Sequence, residues 1–97
     1  MVPVVPEGLV SVWAQYTLLL ASEADRAPLQ ARAKEAGVPT AVYYPLPLHQ
    51  QTAYSAFPQD PAGLKVSEDV AKRVLSLPMH PYLERDTQEH IISAITP

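Results

Sequence analysis

The chain has 97 residues, a length typical of a single domain. It is 47% hydrophobic and 18% charged, which is too apolar for a disordered chain, and it has no run near the ~20 apolar residues of a membrane helix. The net charge is -3 and the seven lysines and arginines are scattered, so a nucleic-acid surface is not expected. Cysteine is absent, which excludes disulfides and thiolate metal sites and agrees with a cytoplasmic protein.

The first half of the chain predicts an irregular N-terminal segment, a strand and a helix. Residues 1–10 contain two prolines and one glycine but no basic stretch, so they resemble neither a regular element nor a signal peptide. β-branched and aromatic residues over 12–21 predict a strand. Residues 25–36 predict a helix with Asp25 as its N-cap, because Pro28 is tolerated only in the first turn.

The second half predicts two further extended segments and two further helices. Thr40–Tyr44 predicts a short strand that ends at Pro45, and residues 50–65 are rich in turn formers. The later elements are a helix over 67–75, an extended segment over 75–78 and a helix over 85–95. The order of these elements implies a two-layer α/β sandwich, a small sheet with about three packed helices, as one domain over residues 1–97.

The three histidines do not form a metal-binding pattern. Metal sites usually place histidines at helix or hairpin spacing beside carboxylate or thiolate ligands, and that pattern is absent here. His90 is predicted on the solvent-facing side of the last helix, without a function. His49 and His80 lie in extended segments next to prolines, where spacing alone favours a structural role for each.

The run YYPLPLH from Tyr43 to His49 is the most unusual local feature. It allows three interpretations: a strand end followed by a rigid connector, a proline-rich ligand for an aromatic groove, or a loop that contacts a ligand. Tyrosine hydroxyls and an imidazole held on a stiff backbone suit a polar, anionic small molecule.

No complete catalytic constellation is present in the sequence. There is no Gly-x-Ser-x-Gly elbow, no P-loop and no glycine-rich dinucleotide turn. A lysine that forms a Schiff base must be desolvated to lose its proton near neutral pH. Lys34 and Lys72 are predicted on polar helix faces and Lys65 in a turn-rich loop, so none is a candidate cofactor lysine.

Three segments together resemble one protein family. They are SVWAQYT at 11–17, GVPTAVYYPLPLH at 37–49 and VLSLPMHPY at 74–82. Their order and spacing resemble the C-terminal end of DegT-type nucleotide-sugar aminotransferases, which make amino sugars for surface polysaccharides. The resemblance covers nearly all the chain from about Val10 to Ile95. The AQYT and YYP variants are similar to the branch that acts on keto sugars carried on UDP.

The resemblance implies a fold-type I aminotransferase whose large domain carries pyridoxal phosphate and its lysine. This chain then corresponds to the small domain that follows, so no cofactor is expected in it and alone it should be inactive. A His-Tyr-Pro motif of the family lies near the nucleotide-sugar site. Its tyrosine maps to Tyr44, and Tyr43 replaces its histidine, so position 43 can donate a hydrogen bond but cannot carry a positive charge.

The same resemblance extends to other polar positions. His49 matches the histidine that closes the family's Pro-x-Pro-x-His run. The expected substrate-binding residues are therefore Tyr43, Tyr44 and His49. Gln15 and His80 match recurring motif positions, without an assigned contact.

Two functions stay open at this level. The first is substrate contact and domain packing within a sugar aminotransferase, and the second is a freestanding α/β binding or interaction module. A domain that packs on a larger one exposes an apolar face when alone, and Val2, Val4 and Val5 add to it, so a homo-oligomer is expected. Tyr44 and His49 are expected close together at the rim where the large domain docks.

Overall fold

The computed structural model describes residues 1–96, and Pro97, the last residue of the predicted domain, lies outside the described residues. Two antiparallel strands and three helices form a small α/β fold, as the sequence predicts. In chain order the elements are β1 (Tyr16–Leu19), α1 (Arg26–Glu35), α2 (Lys65–Arg73), β2 (Val74–Leu77) and α3 (Arg85–Ile95). Within residues 1–96, none of the helices has the length and apolar character needed to span a bilayer.

The two faces of the sheet carry different chemistry. Thr17 lies opposite Ser76 and Leu18 lies opposite Leu75. Because side chains alternate between the faces of a strand, these two pairs lie on opposite faces of the sheet. The leucines are buried, and Leu77 on the same face packs against the core cluster of α1 and α3. On the other face, the hydroxyl oxygens of Thr17 and Ser76 lie 2.8 Å apart and share a hydrogen bond.

Small side chains allow α1 and α3 to pack closely. The buried cluster that joins them consists of Ala33, Val38, Ile91 and Ala94. Arg32 of α1 donates hydrogen bonds to the carbonyl oxygens of Ala94 and Ile95, at 3.0 and 2.6 Å. The last carbonyls of a helix have no partner within the helix. Arg32 therefore both caps α3 and ties it to α1.

The strand predicted over Thr40–Tyr44 is wrong, because only Ala41 pairs with the sheet. Ala41 and Ser76 exchange two backbone hydrogen bonds of 3.0 and 2.8 Å, which form an isolated bridge. The next rung in one direction would join Pro39 to Pro78, and neither residue has an N–H to donate. In the other direction the required N–H belongs to Val74 and is already bound to a carbonyl of α2. The ladder therefore stops at one rung.

The opposite edge of the sheet is limited in the same way. The amino group of Met1 donates to the carbonyl oxygen of Leu19 at 2.7 Å, and the Leu19 N–H donates back at 3.0 Å. The next rung would join Pro3 to Thr17, and Pro3 has no N–H. Apart from this pairing the N-terminal segment is irregular, as predicted, and Val4 is 79% exposed.

β1 is shorter than the strand predicted over 12–21. Trp13 has a φ of 43°, in the left-handed region that a bulky side chain rarely adopts, so the extended chain is interrupted ahead of Tyr16. After β1, the N–H and hydroxyl of Ser22 both donate to the carboxylate of Asp25, each at 2.9 Å. These bonds hold a 3-10 turn, Glu23–Asp25, that leads directly into α1.

The three predicted helices are confirmed, with bounds that differ for one of them. α1 follows Asp25 as its N-cap and ends ahead of Gly37, whose φ of 74° suits glycine. α2 lies earlier in the chain than the predicted range 67–75, because β2 follows it without a break. Val74 already has the ψ of 145° typical of a strand. α3 has the predicted bounds.

Candidate functional site

An open groove of about 720 Å³ lies on the sheet face that carries Thr17 and Ser76. The two hydroxyls form part of its floor, α2 contributes one wall through Val70 and Ala71, and the loop over 42–60 contributes the other. The core cluster of α1 and α3 packs on the opposite face of the sheet, so these two helices leave the groove face uncovered. Its mainly apolar lining with a few polar groups is typical of a small-molecule site.

All three residues predicted to bind substrate line this groove. Tyr43 is 57% exposed and Tyr44 is 69% exposed. Both side chains are therefore open to solvent along the groove. Both hydroxyls can therefore meet a ligand from solution, and their role in binding stays a prediction.

His49 differs from the two tyrosines because its ring is already engaged. Its Nε2 atom lies 3.0 Å from a carboxylate oxygen of Glu68 in the first turn of α2. The His49 side chain is only 11% exposed, whereas that of Glu68 is 39% exposed. The pair joins the loop to α2 across the groove wall. The contact between His49 and Glu68 therefore holds the loop against α2, and only Nδ1 of His49 is left for another partner.

Several lining residues were not identified from the sequence as part of the site. Gln15 lies in the groove just ahead of β1, although the sequence assigned it no contact. Tyr54 and Phe57 form an aromatic pair on the loop wall, with ring centroids 5.9 Å apart. Their spacing of one helical turn, inside a segment rich in turn formers, is the signal that could have revealed this pair.

The other two histidines lie outside the groove. Nδ1 of His80 accepts a hydrogen bond from the N–H of Tyr82 at 3.2 Å, which stabilises the turn after β2. His90 is exposed, as predicted, and its Nε2 lies 2.9 Å from the carbonyl oxygen of Ala36 just past the end of α1. Among residues 1–96 there is no cluster of three or more histidine, aspartate or glutamate side chains that could hold a metal ion.

Pyridoxal phosphate does not fit the residues that the structure describes. A cofactor lysine has to be buried, so that it can lose its proton near neutral pH. Lys34, Lys65 and Lys72 are all exposed, and none of them lines the groove. No step of cofactor chemistry is therefore assigned to this chain.

Residues 1–96 match the family model described as the DegT/DnrJ/EryC1/StrS aminotransferase family. The chain belongs to this family. The family resemblance seen in the three sequence segments is therefore confirmed, and with it the small α/β fold expected for a family member.

Similarity to individual family members covers most of this chain but a small part of each relative. A UDP-2-acetamido-2-deoxy-3-oxo-D-glucuronate aminotransferase from Pseudomonas aeruginosa is 43% identical over 94 residues, which are 97% of this chain and 24% of the relative. A UDP-N-acetyl-3-dehydro-alpha-D-glucosamine 3-aminotransferase from Acidithiobacillus ferrooxidans is 37% identical, over 96% of this chain and 24% of the relative.

A solved structure also matches nearly all of this chain over a small part of its own length. The crystal structure of a DegT DnrJ EryC1 StrS aminotransferase from Brucella abortus superimposes with a TM-score of 0.89 at 46% identity. The match covers 97% of this chain and 24% of that one. The chain thus spans about a quarter of the length of the family members it matches.

Proposed function

We propose that this chain is the C-terminal small domain of a pyridoxal-phosphate-dependent aminotransferase that acts on a keto sugar carried on UDP, for polysaccharide biosynthesis. The main support is the match to two aminotransferases named for UDP-linked keto sugars, over 97% and 96% of this chain. We extend the proposal to a cytoplasmic, homo-oligomeric enzyme. In it the cofactor and its lysine lie outside these residues, so the chain alone transfers no amino group.

In this proposal the chain binds and orients the sugar nucleotide. Tyr43 and Tyr44 offer neutral hydrogen-bond donors from a loop that contains two neighbouring prolines. A stiff loop loses less conformational entropy when a ligand binds, so each hydrogen bond contributes more to the net affinity. His49, held by Glu68, keeps this loop against α2 and so positions the tyrosines.

A chimeric enzyme tests the proposal. The matching 94 residues of the Pseudomonas aeruginosa relative are replaced by this chain. We expect the chimera to transfer an amino group to the relative's own UDP-linked keto sugar, with kcat/KM within about tenfold of the unmodified enzyme. The isolated chain, assayed beside it, should show no amino transfer.

Matched variants of the chimera test the site. Tyr44→Phe should raise KM for the sugar nucleotide about three- to tenfold, because it removes one hydrogen bond that contributes to binding. The control is Tyr82→Phe, the same change at a tyrosine that is 85% exposed and outside the groove. Unchanged kinetics for both Tyr44→Phe and His49→Ala would remove the site assignment. A chimera that folds and retains its cofactor but does not act on the sugar would support a freestanding binding module instead.

A further inference from the structure

We infer that Gln15 and Tyr43 recognise a neutral, amide-bearing part of the ligand, and that the diphosphate of the sugar nucleotide is held outside this chain. The inference rests on the proposed function, and it specifies which part of the ligand the groove takes. The neutral part has two possible sources, the uracil ring and the acetamido group of the sugar. Both carry a carbonyl oxygen and an N–H, which lie side by side in uracil and on opposite sides of the amide in an acetamido group.

The groove has little positive charge to offer a diphosphate, because its one basic side chain among residues 1–96, His49, is already paired with the carboxylate of Glu68. Proteins usually hold phosphate groups with arginine, lysine or the N-terminus of a helix. In the described part of the chain, no lysine or arginine lines the groove. Asp60 lines it and adds a carboxylate, which opposes an anion. The N-terminus of α2 lies beside the groove, but Glu68 in its first turn already places a carboxylate at that positive end.

The four arginines are all committed to other partners. Arg26 donates to the carbonyl oxygen of Ala71 at 2.9 Å, and Arg85 donates to the carboxylate of Glu89 at 2.9 Å. Arg32 caps the end of α3, as described above. Arg73 binds Asp69 and also donates to the carbonyl oxygen after β1 at 2.8 Å. Moving Arg26, Arg32 or Arg73 towards the groove would break a contact that joins structural elements. Arg85 lies on α3 and does not line the groove.

Gln15 has the chemistry that a neutral amide needs. Its carboxamide presents donors and an acceptor side by side, so it can pair with the carbonyl and N–H of uracil together, or with either the carbonyl or the N–H of an acetamido group. The residue is half-buried and lines the groove with Tyr43. No buried side-chain nitrogen or oxygen among residues 1–96 lacks a hydrogen-bond partner, so the Gln15 carboxamide, which has none among these residues, is open to solvent. Gln15 and Tyr43 also line a neighbouring pocket that continues along the edge of the sheet to His80. Its backbone is fixed because β1 begins at the next residue.

Ligand fragments separate this inference from the proposed function. The purified full chain, labelled with nitrogen-15, is titrated with UDP-N-acetylglucosamine, uridine, N-acetylglucosamine and pyrophosphate while its amide resonances are recorded. We expect UDP-N-acetylglucosamine and one neutral fragment to shift the side-chain amide of Gln15 and the backbone amide of Tyr43. Uridine and N-acetylglucosamine distinguish the two sources. Pyrophosphate should leave both signals unchanged.

Salt and substitution complete the test. Raising NaCl from about 50 to about 500 mM should change the dissociation constant by less than about twofold, because no ion pair with the ligand forms in the groove. Gln15→Ala should weaken binding of UDP-N-acetylglucosamine about tenfold, whereas Gln30→Ala, at a half-buried glutamine outside the groove, should not.

The outcomes are distinct. If UDP-N-acetylglucosamine binds but pyrophosphate alone shifts the Gln15 and Tyr43 signals, the inference is overturned while the proposed function stands. If Gln15→Ala does not change the affinity for UDP-N-acetylglucosamine, the inference is likewise overturned and the proposed function stands. If neither the sugar nucleotide nor any fragment shifts these signals, the proposed function of the groove fails, and the inference fails with it.

Discussion

The two faces of the sheet differ in how completely this chain covers them. On one face, Leu75 is fully buried and Ala33 of α1 and Ala94 of α3 pack in the core. On the other face, the hydroxyls of Thr17 and Ser76 lie under an open groove whose outer wall is a loop of exposed aromatic and proline residues. The first face carries the buried core, and the second leaves its polar groups open to solvent.

This difference separates the stability of the domain from its function. Substitutions on the core face should change the free energy of unfolding, because they remove buried apolar contacts or helix-capping hydrogen bonds. Substitutions at the exposed groove residues Tyr43 and Tyr44 should change ligand binding with little effect on stability, because these side chains have few contacts to lose. Substitutions of Leu75, Arg32 and Glu68 test that separation, and we expect their effects on stability to decrease in that order.

Leu75→Ala should have the largest effect. Leu75 is 0% exposed, so truncation removes apolar contacts and leaves a cavity. We expect the free energy of unfolding to fall by about 2–5 kcal/mol, which is a large fraction of the stability of a domain of this size. Urea denaturation followed by circular dichroism measures it. Val66→Ala, at a side chain that is 78% exposed, should change the value by less than about 0.5 kcal/mol. Equal effects of the two changes would contradict the assignment of the core.

Arg32→Met should have a smaller effect on the same face. Methionine keeps the apolar stem but removes the donors to the Ala94 and Ile95 carbonyls. We expect a loss of about 1 kcal/mol and faster amide hydrogen exchange in the last turn of α3. Lys34→Met, two residues away on an exposed position of α1, is the matched control. Unchanged exchange at the end of α3 would show that Arg32 does not cap it.

The sequence predicts the core face better than the groove. The helices have local signals, such as Pro28 in the first turn of α1 and Gly37 after its end, and these signals proved sufficient. The strand over Thr40–Tyr44 had suitable side chains, but its pairing is blocked on one side of Ala41 by Pro39 and Pro78. On the other side it is blocked because the Val74 N–H is bound to a carbonyl of α2, and propensity does not detect either cause. A local sequence pattern gives the preference of one segment. It does not show whether the partner strand can supply the N–H groups that pairing requires.

The groove depends on residues that are far apart in the chain. Gln15 and Ser76 meet there only because β1 pairs with β2 in one particular register. The family resemblance identified Tyr43, Tyr44 and His49 as candidates, but it did not show that the ring of His49 is held by Glu68. A pairing between a loop and a helix has no fixed sequence spacing, so a pattern search does not detect it.

Glu68→Gln should have the smallest effect on stability and sharpens the comparison at the groove wall. The change weakens the contact that holds His49, and we expect a loss of about 0.5 kcal/mol with faster amide exchange in the loop over 48–60. Glu89→Gln alters an exposed pair on α3 and should leave the loop unchanged. If the amide exchange rates of this loop are the same in both variants, the contact between His49 and Glu68 does not position the loop.

The central claim is that the groove of this aminotransferase-family domain contacts the sugar nucleotide. The most direct test is a crystal structure of the chimeric enzyme with a UDP-linked amino sugar bound. We expect a neutral part of the ligand to lie within about 3.5 Å of the Gln15 carboxamide or the Tyr43 hydroxyl, with the diphosphate held by residues outside this chain. A bound ligand that leaves the groove empty would contradict it.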